Sequence, residues 1–257
     1  MNCPGERTGG KMRKLGKRAR RIDPRTFKLQ KYLDSRLPLP PPEVSWVASV
    51  PGFPMYLNDL LGDCVIAAEA HMINQWSWYA SGVEYRVTDQ DVLTAYERVG
   101  GYVPNDPSTD NGCDMLSALN DWRQNGIGGH KILGYAEVDP SNLTEVFQAI
   151  EIFGSLFTGI QLPLSAEYQP AWTVPDGGPV MNGSPGSWGG HAVAIDAASP
   201  KSRTCVTWGS RLKMSPNFFR DYVDECYAVL SQDWIDTQGL SPSQFNLEQL
   251  QTDLASL

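Results

Sequence analysis

A chain of 257 residues, 41% hydrophobic and 10% aromatic, has a globular composition and enough length to bury one large core or two lobes around a cleft. No window is long or apolar enough to span a membrane, and the basic N-terminus lacks the apolar stretch of a signal peptide. The net charge of −8 hides a division: residues 1–31 hold 11 of the 21 Lys and Arg against two acids, giving +9, and the remainder carries −17.

Residues 1–42 read as an arm. From Met1 to about Arg21 it is Gly, Lys and Arg with almost nothing to bury, a composition expected to be disordered when free. Such an arm can bind nucleic acid or another acidic surface by neutralising phosphates, fold against its own acidic body, or only solubilise. No aromatic residue precedes Phe27, so its most basic part has no platform for stacking bases. The stiff run Leu37-Pro38-Leu39-Pro40-Pro41-Pro42 then marks a boundary.

The body is read as residues 43–230, with a helical lobe over about 43–130 and a β-rich lobe over about 131–230. Val44-Ser45-Trp46 is a short predicted strand. After Cys64, the residues Val65, Ala68, Met72, Ile73 and Trp76 recur at the spacing that buries one helix face, so a helix is predicted over about 64–79. Asp63 suits its N-cap and Gly62 the bend before it. Further helices are predicted from Thr88 to Val99, with Asp91 completing a capping box, and from Asp114 to Asn125. Beyond Gly126 the pattern turns to strands over 131–138, 156–162, 191–197, 204–208 and 225–230. One helix interrupts them at 143–153, and a Gly/Pro-rich loop at 163–190. The tail, residues 231–257, ends in a predicted amphipathic helix through Leu247, Leu250 and Leu254. A helix-rich half followed by a strand-rich half predicts an α+β fold of two lobes.

Five cysteines (Cys3, Cys64, Cys113, Cys205, Cys226) are scattered and odd in number, which fits neither a disulfide framework nor paired metal ligands. They read as reduced thiols, and no metal or cofactor is implied. Cys64 differs from the rest because it stands at the positive end of a helix dipole, where thiolate is favoured and a depressed pKa is expected. His71 lies about 10 Å further along the same helix, too far to serve it. His130 follows two glycines in a loop. His191 opens a core strand after the small-residue run Ser187-Trp188-Gly189-Gly190, which places a histidine at the mouth of one lobe facing a cysteine at a helix tip in the other. That is the Cys-His arrangement of nucleophilic catalysis.

Several segments in one order resemble the papain-like cysteine peptidases over roughly residues 43–230. Val44-Ser45-Trp46 resembles the family's start, with Trp46 eighteen residues before Cys64. Asn58 stands where the family keeps an oxyanion-hole glutamine, and Gly62-Asp63-Cys64 takes the place of its Gly-Ser-Cys. Asn111-Gly112-Cys113, His191-Ala192-Val193 and Thr207-Trp208-Gly209 are similar to three further motifs. The resemblance implies a papain-like two-lobe fold and a hydrolase, a thiol peptidase acting on peptide or protein. In it Cys64 is the nucleophile, His191 the base and Asn58 the oxyanion donor, with Trp208, Thr207, Gly190 and Asp63 in support.

Two departures stand out. Counting back from Trp208, the family's triad asparagine falls on Val206, with Thr207 expected to point to the other face of the strand; His191 would then be oriented by packing against Trp208. Only about 42 residues precede the body, fewer than the family's usual inhibitory pro-domain. The alternative is therefore a catalytically silent papain-like scaffold, a structural or nucleic-acid-associated component of a phage or bacterial particle. Either reading places the protein in a cytoplasm or a virion, with no membrane partner. Cys64 within hydrogen-bond reach of His191 would favour the enzyme; a cleft filled by a side chain or by the arm would favour the scaffold.

Overall fold

Two tryptophans join the helical half of the molecule. Trp76 and Trp122 stack with their ring centroids 5.7 Å apart and locks helix α1 (Cys64–Ser81) to helix α3 (Met115–Gln124), with helix α2 (Asp89–Gly100) packed against both. The computed structural model describes residues 13–31 and 39–235; residues 1–12, the Leu37-Pro38 part of the proline run and the predicted helix over 246–257 lie outside the described residues. Each helix start has a local cause. Thr88 and Asp91 form the predicted capping box of α2, and the Asp114 carboxylate accepts the Ser117 N–H to open α3.

Helix α1 departs from its predicted single buried face. Every residue from Cys64 to Trp76 is buried, because strands lie along one side of the helix and α2 and α3 along the other. Its polar residues bear the consequence. Burial holds the Glu69 carboxyl well above the usual range, and it pushes His71 down to about 4. His71 Nε2 lies 2.8 Å from the Pro54 carbonyl, a structural role.

The second half is one antiparallel sheet in the order β2-β7-β3-β4-β5-β6, with β1 on the far end of β4. Its strands are β1 (Val44–Ser45), β2 (Ile132–Val138), β3 (Leu156–Leu162), β4 (Gly189–Ala198), β5 (Arg203–Thr207), β6 (Ser210–Met214) and β7 (Val223–Ser231). Helix α4 (Leu143–Phe153) packs on it. Two elements were not predicted. Strand β6 alternates exposed Arg211 and Lys213 with buried Leu212 and Met214, and helix α5 (Pro216–Tyr222) starts on a Ser215 cap with proline in its first turn. Helix α1 packs against β4 and β5, and its first residue, Cys64, lies near Ala192 of β4.

The arm is part of this structure. Residues 13–31 lie against the body, where Leu29 is 1% exposed within the main core and Lys17 is buried, although the composition offered almost nothing to bury. The acidic body neutralises it: Arg20 and Lys28 pair with Glu137, and Lys17 with Asp224 and Glu225. Leu29→Ala should therefore lower the stability of the whole chain by about 2–4 kcal/mol, read from urea unfolding followed by tryptophan fluorescence.

Candidate active site

Cys64 is the first residue of α1 and is 1% exposed. The backbone of Ala192 and Gly16 approaches its sulfur and works against the effect of burial on the thiol. Asp63 occupies the N-cap position but makes no side-chain cap; its Oδ1 instead accepts a hydrogen bond from the Asn58 amide at 3.1 Å. Full burial holds the Asp63 carboxyl well above the ordinary carboxylate range, and this acid in turn helps to raise the Cys64 thiol. Asn58 Nδ2 also donates to the Leu61 carbonyl at 3.2 Å and, at 3.5 Å, to the Lys14 carbonyl of the arm.

His191 is fully buried near the start of β4, and its Nε2 lies 2.6 Å from Thr207 Oγ1. This corrects the expectation that Thr207 points away and that packing alone orients the ring. Strand register explains it. Ala194 pairs with Val206, which sets Val193 opposite Thr207, and Val193 shares a face with His191 two residues away. Val206 faces the opposite side, in an apolar cluster with Val47, Val50 and Phe53. Asp196 also points away, to Ser155 Oγ at 2.5 Å.

The Trp208 ring stacks on His191 at 4.4 Å and 15°. It gets there because Trp208 and Gly209 both adopt positive φ, 46° and 67°, in the two-residue turn that joins β5 to β6. Trp172, which no motif flagged, stands edge-on to both His191 and Trp208. The other ring nitrogen, His191 Nδ1, is buried and has no partner.

The arm fills the cleft between the lobes. Lys14 N–H donates to the Asn58 carbonyl, and the Lys14 carbonyl accepts from Trp208 Nε1 at 3.1 Å. Arg13 lies over the Trp208 ring. Lys17 N–H bonds the carbonyl of Gly190, while Gly16 and Arg18 bracket Cys113 in a parallel bridge. Gly16 has no room for a side chain, since a Cβ there would lie 1.7 Å from the Gly62 carbonyl oxygen. Asp110 and Tyr96 hold the two walls, through Gly62 N–H to Asp110 and Gly112 N–H to Tyr96.

This closure sets the charge state of the site. Burial pushes the Cys64 thiol up to about 12, against the depressed value that the helix dipole alone implies. Burial, and then the Arg13 cation, push His191 down to about 3. With the arm in place the pair is a neutral thiol and a neutral imidazole, and no hydrogen bond joins them.

No family model matches the chain, and no curated protein matches it in sequence. Solved structures do. Xylellain, a cysteine protease from Xylella fastidiosa, superposes with a TM-score of 0.66 at 13% identity, covering 87% of this chain and 99% of that one. The bromelain protease from Ananas comosus, in complex with the E64 inhibitor, gives 0.53 at 12% identity, over 74% and 99%. Digestive procathepsin L 3 of Tenebrio molitor larval midgut gives 0.54 at 10%, over 86% and 76%. The fold is papain-like.

Within this papain-like fold the remaining predicted residues fall as follows. His130 Nδ1 pairs with Asp233 at 2.8 Å, and His71 bonds Pro54. Cys113 lies under the arm, while Cys205 and Cys226 are buried in the sheet as free thiols. Among the described residues no group of His, Cys, Asp and Glu could hold a metal, and no helix is long and apolar enough to cross a membrane.

Two substitutions separate the register seen here from the one counted back from Trp208. Val206→Asn should destabilise the fold by about 1–3 kcal/mol, as a buried amide without partners, and give no gain in reactivity at Cys64. Thr207→Val should also cost about 1–3 kcal/mol, because His191 Nε2 is left buried without a partner, but it should in addition alter the NMR-detected tautomer of His191. If Val206→Asn rather than Thr207→Val moves the His191 signals, the register argument fails.

Proposed function

We propose that this protein is a papain-like cysteine hydrolase, a peptidase, held latent by its own residues 13–18. The observation that carries the reading is His191: Nε2 is anchored on Thr207, Trp208 covers the ring, and Nδ1 is buried without a partner. Two contacts support this reading in spite of Val206 and the short arm. Thr207 Oγ1 lies at hydrogen-bond distance from His191 Nε2, and residues 13–18 lie across the cleft.

Opening the arm removes the Arg13 cation from His191 and returns Cys64 to solvent and to the dipole of α1, so the thiol pKa falls and the imidazole pKa rises. A proton then passes from Cys64 to His191 Nδ1, with Nε2–H donated to Thr207. The Cys64 thiolate attacks the carbonyl carbon of a peptide bond, and the oxyanion is held by the Cys64 N–H and by the Asn58 amide hydrogen that Lys14 now occupies. His191 gives its proton to the leaving amine. Water, deprotonated by His191, hydrolyses the thioester, releasing the acid and restoring Cys64.

The filled cleft favours a second reading, the silent scaffold, in which the arm is a permanent part of the structure. The Gly16→Val chain separates the two, because a side chain there must leave the contact with Gly62. For the latent hydrolase, iodoacetamide at pH 7 should label Cys64 in Gly16→Val ahead of Cys205 and Cys226. The wild type should stay unlabelled even at pH 8, since its thiol is raised far above that pH. Gly16→Val should also cleave a denatured protein substrate, and adding Cys64→Ala should abolish this. Full labelling of Cys64 without any turnover above the Cys64→Ala background would leave only the scaffold.

A further inference from the structure

Lys17 places a cation where a lysine has no ordinary reason to be. Its side chain is 0% exposed, and it reaches from the cleft to the base of the sheet, where Nζ lies 2.9 Å from Asp224 Oδ2 and 2.8 Å from Glu225 Oε1. Burying an ammonium and two carboxylates is expensive unless the charges meet. The receiving side is built for the meeting. Gln161 Nε2 donates to Asp224 Oδ2 at 2.7 Å and Tyr227 OH to Glu225 Oε2 at 2.9 Å, which aims both carboxylates into the pocket. Glu225 is 1% exposed and sits on β7 opposite Gly159 of β3. Gly159 is the wall the lysine stem runs along: a Cβ there would stand 2.2 Å from Lys17 Cε, with Met115 on the neighbouring side. Take the arm away and a narrow slot remains, apolar along its length and doubly acidic at its end, one residue along the chain from the segment over Cys64.

We propose that this slot is the specificity pocket of the hydrolase: it selects peptides carrying a lysine within a residue or two of the bond attacked, and Lys17 is its resident occupant. The inference rests on the hydrolase reading for the cleavage but not for the recognition. An acidic or apolar side chain in the slot leaves Glu225 buried without a counter-charge, so discrimination comes as much from rejecting the wrong residue as from holding the right one. Asp224 is partly exposed, so its replacement should cost less than that of the fully enclosed Glu225.

Two measurements on the full chain test this. In Gly16→Val/Cys64→Ala, with the arm displaced and the nucleophile removed, fluorescein-labelled hexapeptides with a central Lys, norleucine or Glu are titrated by fluorescence anisotropy. The Lys peptide should bind roughly 30-fold more tightly than the norleucine peptide, as expected for a buried charge pair against one truncated partner. Glu225→Gln should erase most of that preference; equal affinity for Lys and norleucine with Glu225 intact overturns the proposal. The second measurement needs no displaced arm. Lys17→Met, nearly the same length without the charge, should loosen closure and speed Cys64 alkylation, and adding Glu225→Gln should slow it again because the slot no longer demands a cation. Strictly additive rates overturn the proposal even if the displaced-arm chain fails to fold. Lysine-selective binding without turnover in the Cys64 chain would remove the hydrolase and keep the pocket; turnover indifferent to lysine would do the reverse.

Discussion

The structure depends on the complete burial of the first thirteen residues of α1. A helix enclosed by a sheet on one side and by two helices on the other cannot slide or roll, and its N-terminus is thereby pinned against the start of β4. That constraint is what brings Cys64 to the neighbour of His191. It is met at the expense of polar groups: the Glu69 and Asp63 carboxyls are pushed well above their usual range, and His71 down to about 4. Burial is the largest cause of each shift, against carboxyl pKa values near 4 and an imidazole value near 6.5 in water.

Charge is handled differently at the arm. The +9 of the N-terminal segment and the −17 of the remainder look like a general attraction, but the described contacts are specific. Glu137 gathers Arg20 and Lys28 at the surface, where such pairs contribute little, while Lys17 alone enters the interior and meets two carboxylates there. The exposed pairs guide the arm to its place, and the buried one sets its register along the cleft. Gly16 permits that register because only a residue without a side chain passes between Gly62 and Gly112.

Most elements were legible in the sequence because hydrophobic period and capping residues agree: Thr88 with Asp91, Asp114 with Ser117, and the apolar runs of β3 and β4. Cys64, Asn58, His191 and Trp208 could be singled out because motif spacing survives divergence. Thr207 could not be placed, since which face a strand residue takes depends on register with β4 and on a positive-φ turn at Trp208, and neither shows in local composition. Lys17 was hidden for another reason. In a run of Lys and Arg no single cation stands out, and its partners Asp224 and Glu225 lie more than two hundred residues away. The one local hint was Gly16, a flexible residue in a segment whose charges already sufficed to keep it open.

The arm is covalently continuous with the body it closes, and this makes the closure independent of protein concentration. A segment tethered within a few tens of residues faces its binding site at an effective concentration in the millimolar range, whatever the amount of protein present. A free peptide at micromolar levels competes poorly against such a neighbour even with better contacts, so dilution does not open the cleft. A single backbone cut between Lys31 and Leu39 changes the order of the reaction. The same ion pairs and backbone hydrogen bonds would then act between two molecules, and the arm would leave in proportion to dilution, with no bond inside the cleft having been altered.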